Sequence, residues 1–131
     1  MIKLLLTIIL ILLPWVSSAA DWGWSKTDYA REAAGLVVTA VDWGQTRYIA
    51  NHPDRYLELN PILGAHPSLD SVDAYFASVL VLHSLISALL PAKAEVVGFE
   101  LSPRTAWQYF YIGVESTATL SNWRGGLKID F

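Results

Sequence analysis

Three ionisable side chains stand out in this 131-residue chain. Asp42, His83 and Glu115 lie far apart in sequence, each in a segment that otherwise reads as an apolar or amphipathic helix. An ionisable group in such a setting needs a partner to offset the cost of leaving water. A carboxylate, an imidazole and a second carboxylate brought together can bind a divalent metal, relay a proton, or act as base and orienter in a hydrolytic reaction. No HExxH or similar local spacing ties the three to one element, so the site exists only if three separate segments meet. The competing reading is a structural polar network that sets helix register, or a solvated groove.

The segments that must position these residues are legible as helices. Ser25-Lys26-Thr27-Asp28 has the form of a capping box and opens a helix through about Ile49. Asn51-His52-Pro53 ends it, and a loop follows to Pro67, punctuated by Asn60-Pro61 and Gly64. Ser68 or Asp70 caps a second helix that runs to Leu90 and stops at Pro91. The alternation in Glu95–Glu100 is too brief to define a strand. Ser102-Pro103 starts a third helix, which continues to Trp123 or Arg124 before Gly125-Gly126 releases it. The tail Leu127–Phe131 alternates like a strand, but three helical patterns exclude a barrel.

Helical spacing gathers polar residues on one face of each helix. Thr39, Asp42, Gln45 and Thr46 form a stripe on the first; Asp73, His83 and Ser87 share a side of the second; Gln108, Glu115, Thr119 and Asn122 line the third. If those faces meet, Asp42, His83 and Glu115 converge inside a bundle. They are therefore the candidates for a catalytic or metal-binding centre. His52 and His66 precede prolines and read as turn residues.

Composition bounds the function. The absence of cysteine excludes disulfide scaffolds, thiolate metal sites and thiol catalysis, and a net charge of -3 argues against nucleic acid as a partner. No nucleophile elbow, phosphate-cradling loop or dinucleotide fingerprint is present, so no cofactor is expected. Residues 1–20 have the pattern of an export signal: Lys3, the apolar run Leu4–Leu13, then Pro14 and small residues ending in Ala20. Cleavage after Ala20 leaves residues 21–131 as a single domain; an uncleaved anchor is the alternative. Val72–Leu90, interrupted chiefly by Asp73 and His83, is apolar and long enough to cross a bilayer. Six tryptophans and six tyrosines, many near helix ends, fit an interfacial belt. Arg47, Arg55, Arg124 and Lys128 on one side balance Lys26, Arg31, Lys93 and Arg104 on the other, so charge does not orient the bundle.

Asp42-Trp-Gly-Gln45-Thr46 followed by Glu58-Leu-Asn60-Pro61-Ile62-Leu63-Gly64 resembles a pattern in small uncharacterised bacterial and tailed-phage envelope proteins. In these, a helix ending in Asp-x-x-Gln-Thr precedes a Glu-x-Asn-Pro loop and another helix. The resemblance covers roughly Asp42 to Leu90 and implies membrane association without implying a reaction. It marks Asp42, Gln45, Thr46, Glu58, Asn60 and Pro61 as candidate positions. In the Glu-x-Asn-Pro loop, the Asn60 side chain is expected to bond the backbone and tighten the turn.

Taken together, the sequence predicts an all-α protein: three helices around a polar seam after a signal peptide, with at least the second helix in the membrane. The expected location is the bacterial inner membrane or periplasm. The expected role is a membrane or interaction protein of bacterial or phage origin, whose partners are lipid and either another envelope protein or further copies of itself. Two alternatives come from other classes: a membrane-embedded or periplasmic hydrolase using Asp42, His83 and Glu115, and a holin-like oligomer that permeabilises membranes.

Overall fold

The computed structural model describes residues 21–96 and 98–131. The expected signal segment, residues 1–20, lies outside the described residues.

Helix α1 spans Lys26–Asn51. Its first turn is closed from both directions, with Ser25 Oγ accepting from the Asp28 backbone N–H at 3.1 Å and the Asp28 carboxylate accepting from the Ser25 N–H at 2.8 Å. Two of the four N–H groups left over at a helix start are thereby satisfied. The helix runs slightly past the expected end because His52 extends the pattern, its N–H bonding Ile49 O and its Nδ1 donating to Tyr48 O. Helix α2, Leu69–Leu89, starts at Ser68, whose hydroxyl accepts from the Ser71 N–H. Helix α3, Pro103–Arg124, follows Ser102 with proline in its first turn, although the Ser102 hydroxyl makes no cap bond.

One expectation needs correction. The chain is mostly helical but not purely so, because β1 (Ala94–Val96) and β2 (Phe99–Leu101) pair antiparallel between α2 and α3. Gly98 adopts a φ of +80° at the turn, a conformation that side-chain-bearing residues avoid. Strands of three residues carry too little alternation to register as a pattern.

Side-chain contacts fix the helix directions. Asp28 and Glu32 meet the start of α3 at Gln108, and Gln45 and Asp42 meet its far part at Thr119 and Asn122, so α1 and α3 run parallel. Helix α2 runs the other way, its Asp73 against Trp43 and Arg47 and its His83 against Glu32. One end of the bundle thus carries the hairpin and Asp21–Ser25. The other carries the 52–68 loop and the C-terminal tail.

That tail does not form a strand. It lies along α1, with Asp130 N–H bonded to Gly44 O and Phe131 edge-on to Trp43. A Cβ on Gly44 would meet Ile129 Cγ2 at 2.5 Å and Phe131 Cε2 at 2.9 Å, so only glycine admits the tail there. Gly35 performs a similar task in the interior, where a Cβ would lie 3.2 Å from Tyr111 Cδ1 and 3.4 Å from His83 Nε2.

The distribution of polarity is inverted relative to a water-soluble bundle. Buried apolar residues among the described residues are Ile49, Val72, Phe76, Ile86, Ala94 and Tyr111. Buried polar or charged residues are more numerous: Asp28, Glu32, Thr39, Gln45, Thr46, His83, Ser87, Arg104 and Gln108. Meanwhile Val37 on α1, Val81, Leu85 and Leu89 on α2, and Phe110, Val114 and Leu120 on α3 are at least half exposed. Single exposed apolar residues such as Val37 are ordinary, but clustered ones along the outer faces of α2 and α3 are not.

Candidate functional site: a polar seam between the helices

The hairpin end of the seam is organised by Arg104, which has no exposed surface. Its Nε donates to Ser87 O and Leu90 O, both at 3.0 Å, and its Nη1 and Nη2 donate to Gly23 O and Trp22 O. The guanidinium also lies 4.6 Å from the Trp24 ring centroid and 3.7 Å from Asp28 Oδ2. A planar, permanently charged fork is suited to this, since it neutralises carbonyls left free at the end of α2 while tying down the incoming chain. Asp28 is the counter-charge. Burial by itself raises its pKa, but hydrogen bonds from the Ser25 backbone and hydroxyl, with Arg31 and Arg104 nearby, hold it below the ordinary carboxylate value.

One turn further in, Gln108 links α1 to α3. Its Nε2 donates to Asp28 O and to Glu32 Oε2, while its Oε1 accepts from Arg31 Nε. Glu32 in turn lies against α2, with Oε2 3.3 Å from His83 Nε2. The His83 ring stacks on Tyr111 at a centroid distance of 3.6 Å, and Tyr111 Oη is 2.6 Å from Thr39 Oγ1.

Toward the loop end the seam becomes acidic. Asn122 Nδ2 donates to Asp42 Oδ1 at 2.8 Å, and Gln45 Nε2 donates to Thr119 O at 3.3 Å. Asp42 lies in the electrostatic field of both Glu115 and Glu58, and Thr39 lies beside Glu115. The Glu-x-Asn-Pro loop supplies Glu58. Its Oε1 accepts from the Asn60 N–H at 2.7 Å, and Asn60 Oδ1 accepts from the Ile62 N–H at 3.0 Å, the side-chain-to-backbone turn expected before Pro61. Thr46 is buried on the same helix, and Asp73 closes the seam with Arg47 and Trp43.

The candidate trio therefore divides. Asp42 and Glu115 fall in one another's field at the acidic end, whereas the contacts of His83 are Glu32, Tyr111 and Trp107. Among the described residues no three His, Asp or Glu side chains are grouped so as to hold a metal ion. His83 and Ser87 are both buried. Of the residues marked by the sequence pattern, Asp42 lies in the field of Glu58 and Glu115, and Gln45 bonds Thr119 O.

Sequence reasoning missed Asp28, Glu32 and Arg104. The signal was present: the stripe Thr39-Asp42-Gln45 continues backward through Gly35 and Glu32 to Asp28, and Gln108-Glu115-Thr119-Asn122 continues backward to Arg104, at steps of three, four or seven residues. Comparison with protein families, curated proteins and solved structures returns no match.

Proposed function

We propose that the chain is an exported, membrane-embedded helical protein of a bacterial or phage envelope, acting as a membrane or interaction protein through its apolar outer surface. The observation that carries this reading is the inverted burial. Nine polar or charged side chains are enclosed, while Val37 on α1, Val81, Leu85 and Leu89 on α2, and Phe110, Val114 and Leu120 on α3 face outward. In water each such outward side chain forgoes about 1.5–3 kcal/mol of burial. In hydrocarbon the same arrangement is favourable, and the polar groups are the ones that must be hidden.

Helix α2 supports the reading. Leu69–Leu89 is long and apolar enough to cross a membrane, and only 28% of its most apolar window is buried against the rest of the chain. A helix that forms the core of a soluble protein passes the same length test but is mostly enclosed; this one is mostly uncovered. Its rise of roughly 31 Å matches a hydrocarbon thickness of about 30 Å. Trp22 and Trp24 at the hairpin end and Trp123 at the loop end fit interfacial positions.

Fractionation of expressing cells tests the reading. The chain is expected to remain in the membrane pellet after alkaline carbonate, with a mature N-terminus at Asp21 by sequencing. Recovery in the soluble fraction without detergent would refute it.

A further inference from the structure

We propose that the Glu-x-Asn-Pro loop is a lipid-contacting element, whose apolar side chains enter the bilayer interface beside the start of α2. This contact rests on the membrane reading above and adds a non-helical surface to it.

An extended chain sends successive side chains to opposite sides. From Leu57 onward the loop uses that alternation in the same inside-out sense as the bundle. Glu58 and Asn60 are partly buried, and Glu58 Oε2 is enclosed. Leu57, Leu59 and Ile62 are turned outward, with 58%, 88% and 64% of their surface exposed. Leu59 is the most exposed large apolar residue among the described residues. A loop that meets water is built the other way, with polar side chains outward.

The polar residues of the motif are spent on fixing the loop itself. The Glu58 N–H donates to Ala65 O, the Asn60 N–H to Glu58 Oε1, and the Ile62 N–H to Asn60 Oδ1. The Leu63 and Gly64 N–H groups both donate to Asn60 O, and Pro61 has no N–H to satisfy. Between residues 58 and 64, only the Leu59 amide lacks a partner among the described residues.

Backbone, charge and position together favour lipid as the occupant. Contact with lipid requires backbone donors to be satisfied within the chain, whereas a protein partner that pairs with an extended segment needs those donors free. Here they are already taken. Glu58 is the only ionisable side chain between residues 57 and 64, and it is folded back onto the Asn60 N–H; the charged pair Asp54 and Arg55 precedes the alternation. The loop leads through Pro67 directly into the Ser68 cap of α2, the helix apolar enough to span a membrane. Trp123, also outward-facing, lies at the same end of the bundle, where an interfacial ring is expected.

The test uses the full chain with one nitroxide-labelled cysteine, Leu59→Cys or Ile62→Cys, reconstituted in phosphatidylcholine vesicles. Val81→Cys on α2 and Asp54→Cys on the same loop serve for comparison. All four native side chains are exposed, so the labels leave the packing intact. At Leu59 and Ile62 the ratio of oxygen to nickel-chelate collisions is expected to exceed that at Asp54 several-fold and to stay below that at Val81, as interfacial depth requires. Ratios equal to that at Asp54, with Val81 still in lipid, would overturn this contact and leave membrane embedding standing. Ready chelate access at Val81 as well would remove both. Exclusion of both reagents at Leu59 and Ile62 would also overturn it, and would place a protein on the loop.

Discussion

Replacing Arg104 with methionine removes the charge that holds the hairpin end together while keeping much of the side chain's bulk. The guanidinium donates to four backbone carbonyls from three parts of the chain: Trp22 and Gly23, the end of α2, and the turn beyond it. Hydrogen bonds to charged groups each contribute about 1.5–3 kcal/mol. These do not add fully, because carbonyls near the end of the bundle regain water once the arginine is gone. Asp28 keeps Ser25 and Arg31 after the substitution, which limits the charge left unpaired. Breaking a buried charged interaction of this kind costs about 3–5 kcal/mol, a large part of a typical total stability of about 5–15 kcal/mol. Thermal and denaturant unfolding in detergent, followed by circular dichroism, is expected to show a loss in this range for Arg104→Met. Arg104→Lys is expected to fall between, since an ammonium cannot reproduce the fork. A loss under about 1 kcal/mol for Arg104→Met would refute the assignment of Arg104 as the organiser of this end.

Other consequences are open to measurement. Because the folded-state pKa of Asp28 is lowered, its stabilising contribution is present above the unfolded value near 3.9 and lost as pH falls through the folded one. Asp28→Asn is therefore expected to melt below the parent at neutral pH, with the gap narrowing in acid; a gap independent of pH would count against the ionised form. Gly44→Val is expected to expel Ile129 and Phe131 from α1 at a cost of about 1–3 kcal/mol, read as faster carboxypeptidase trimming of the tail. Unchanged trimming would show that the tail is not docked.

The features of the sequence that were legible are those governed by local chemistry. Ser25 with Asp28, Ser68, and Ser102 with Pro103 mark the helix starts to within a residue, because capping is decided within one turn. The hairpin at Ala94–Leu101 was not legible, since its pairing depends on two three-residue strands brought together by Gly98. The partner of His83 was also hidden. Spacing placed His83 on an inward face, but whether Glu32, Asp42 or Glu115 lies opposite depends on the vertical register of α2 against α1. That register is set by tertiary contacts such as Asp73 with Arg47 and the Tyr111 ring lying against Gly35. Asp28 and Arg104 were masked for another reason: charged residues in a first helical turn are usually surface caps, and only the enclosing Trp22–Trp24 segment buries them here.

The central claim is that the outer surface of the bundle meets lipid while the seam is enclosed. A chain without cysteine permits spin labels at single introduced cysteines with no background. Labels at Val37, Val81, Leu85 and Val114, reconstituted in lipid bilayers, are expected to collide readily with dissolved oxygen and hardly at all with a water-soluble nickel chelate. Ready collision with the chelate at these positions would place them in water and contradict the account.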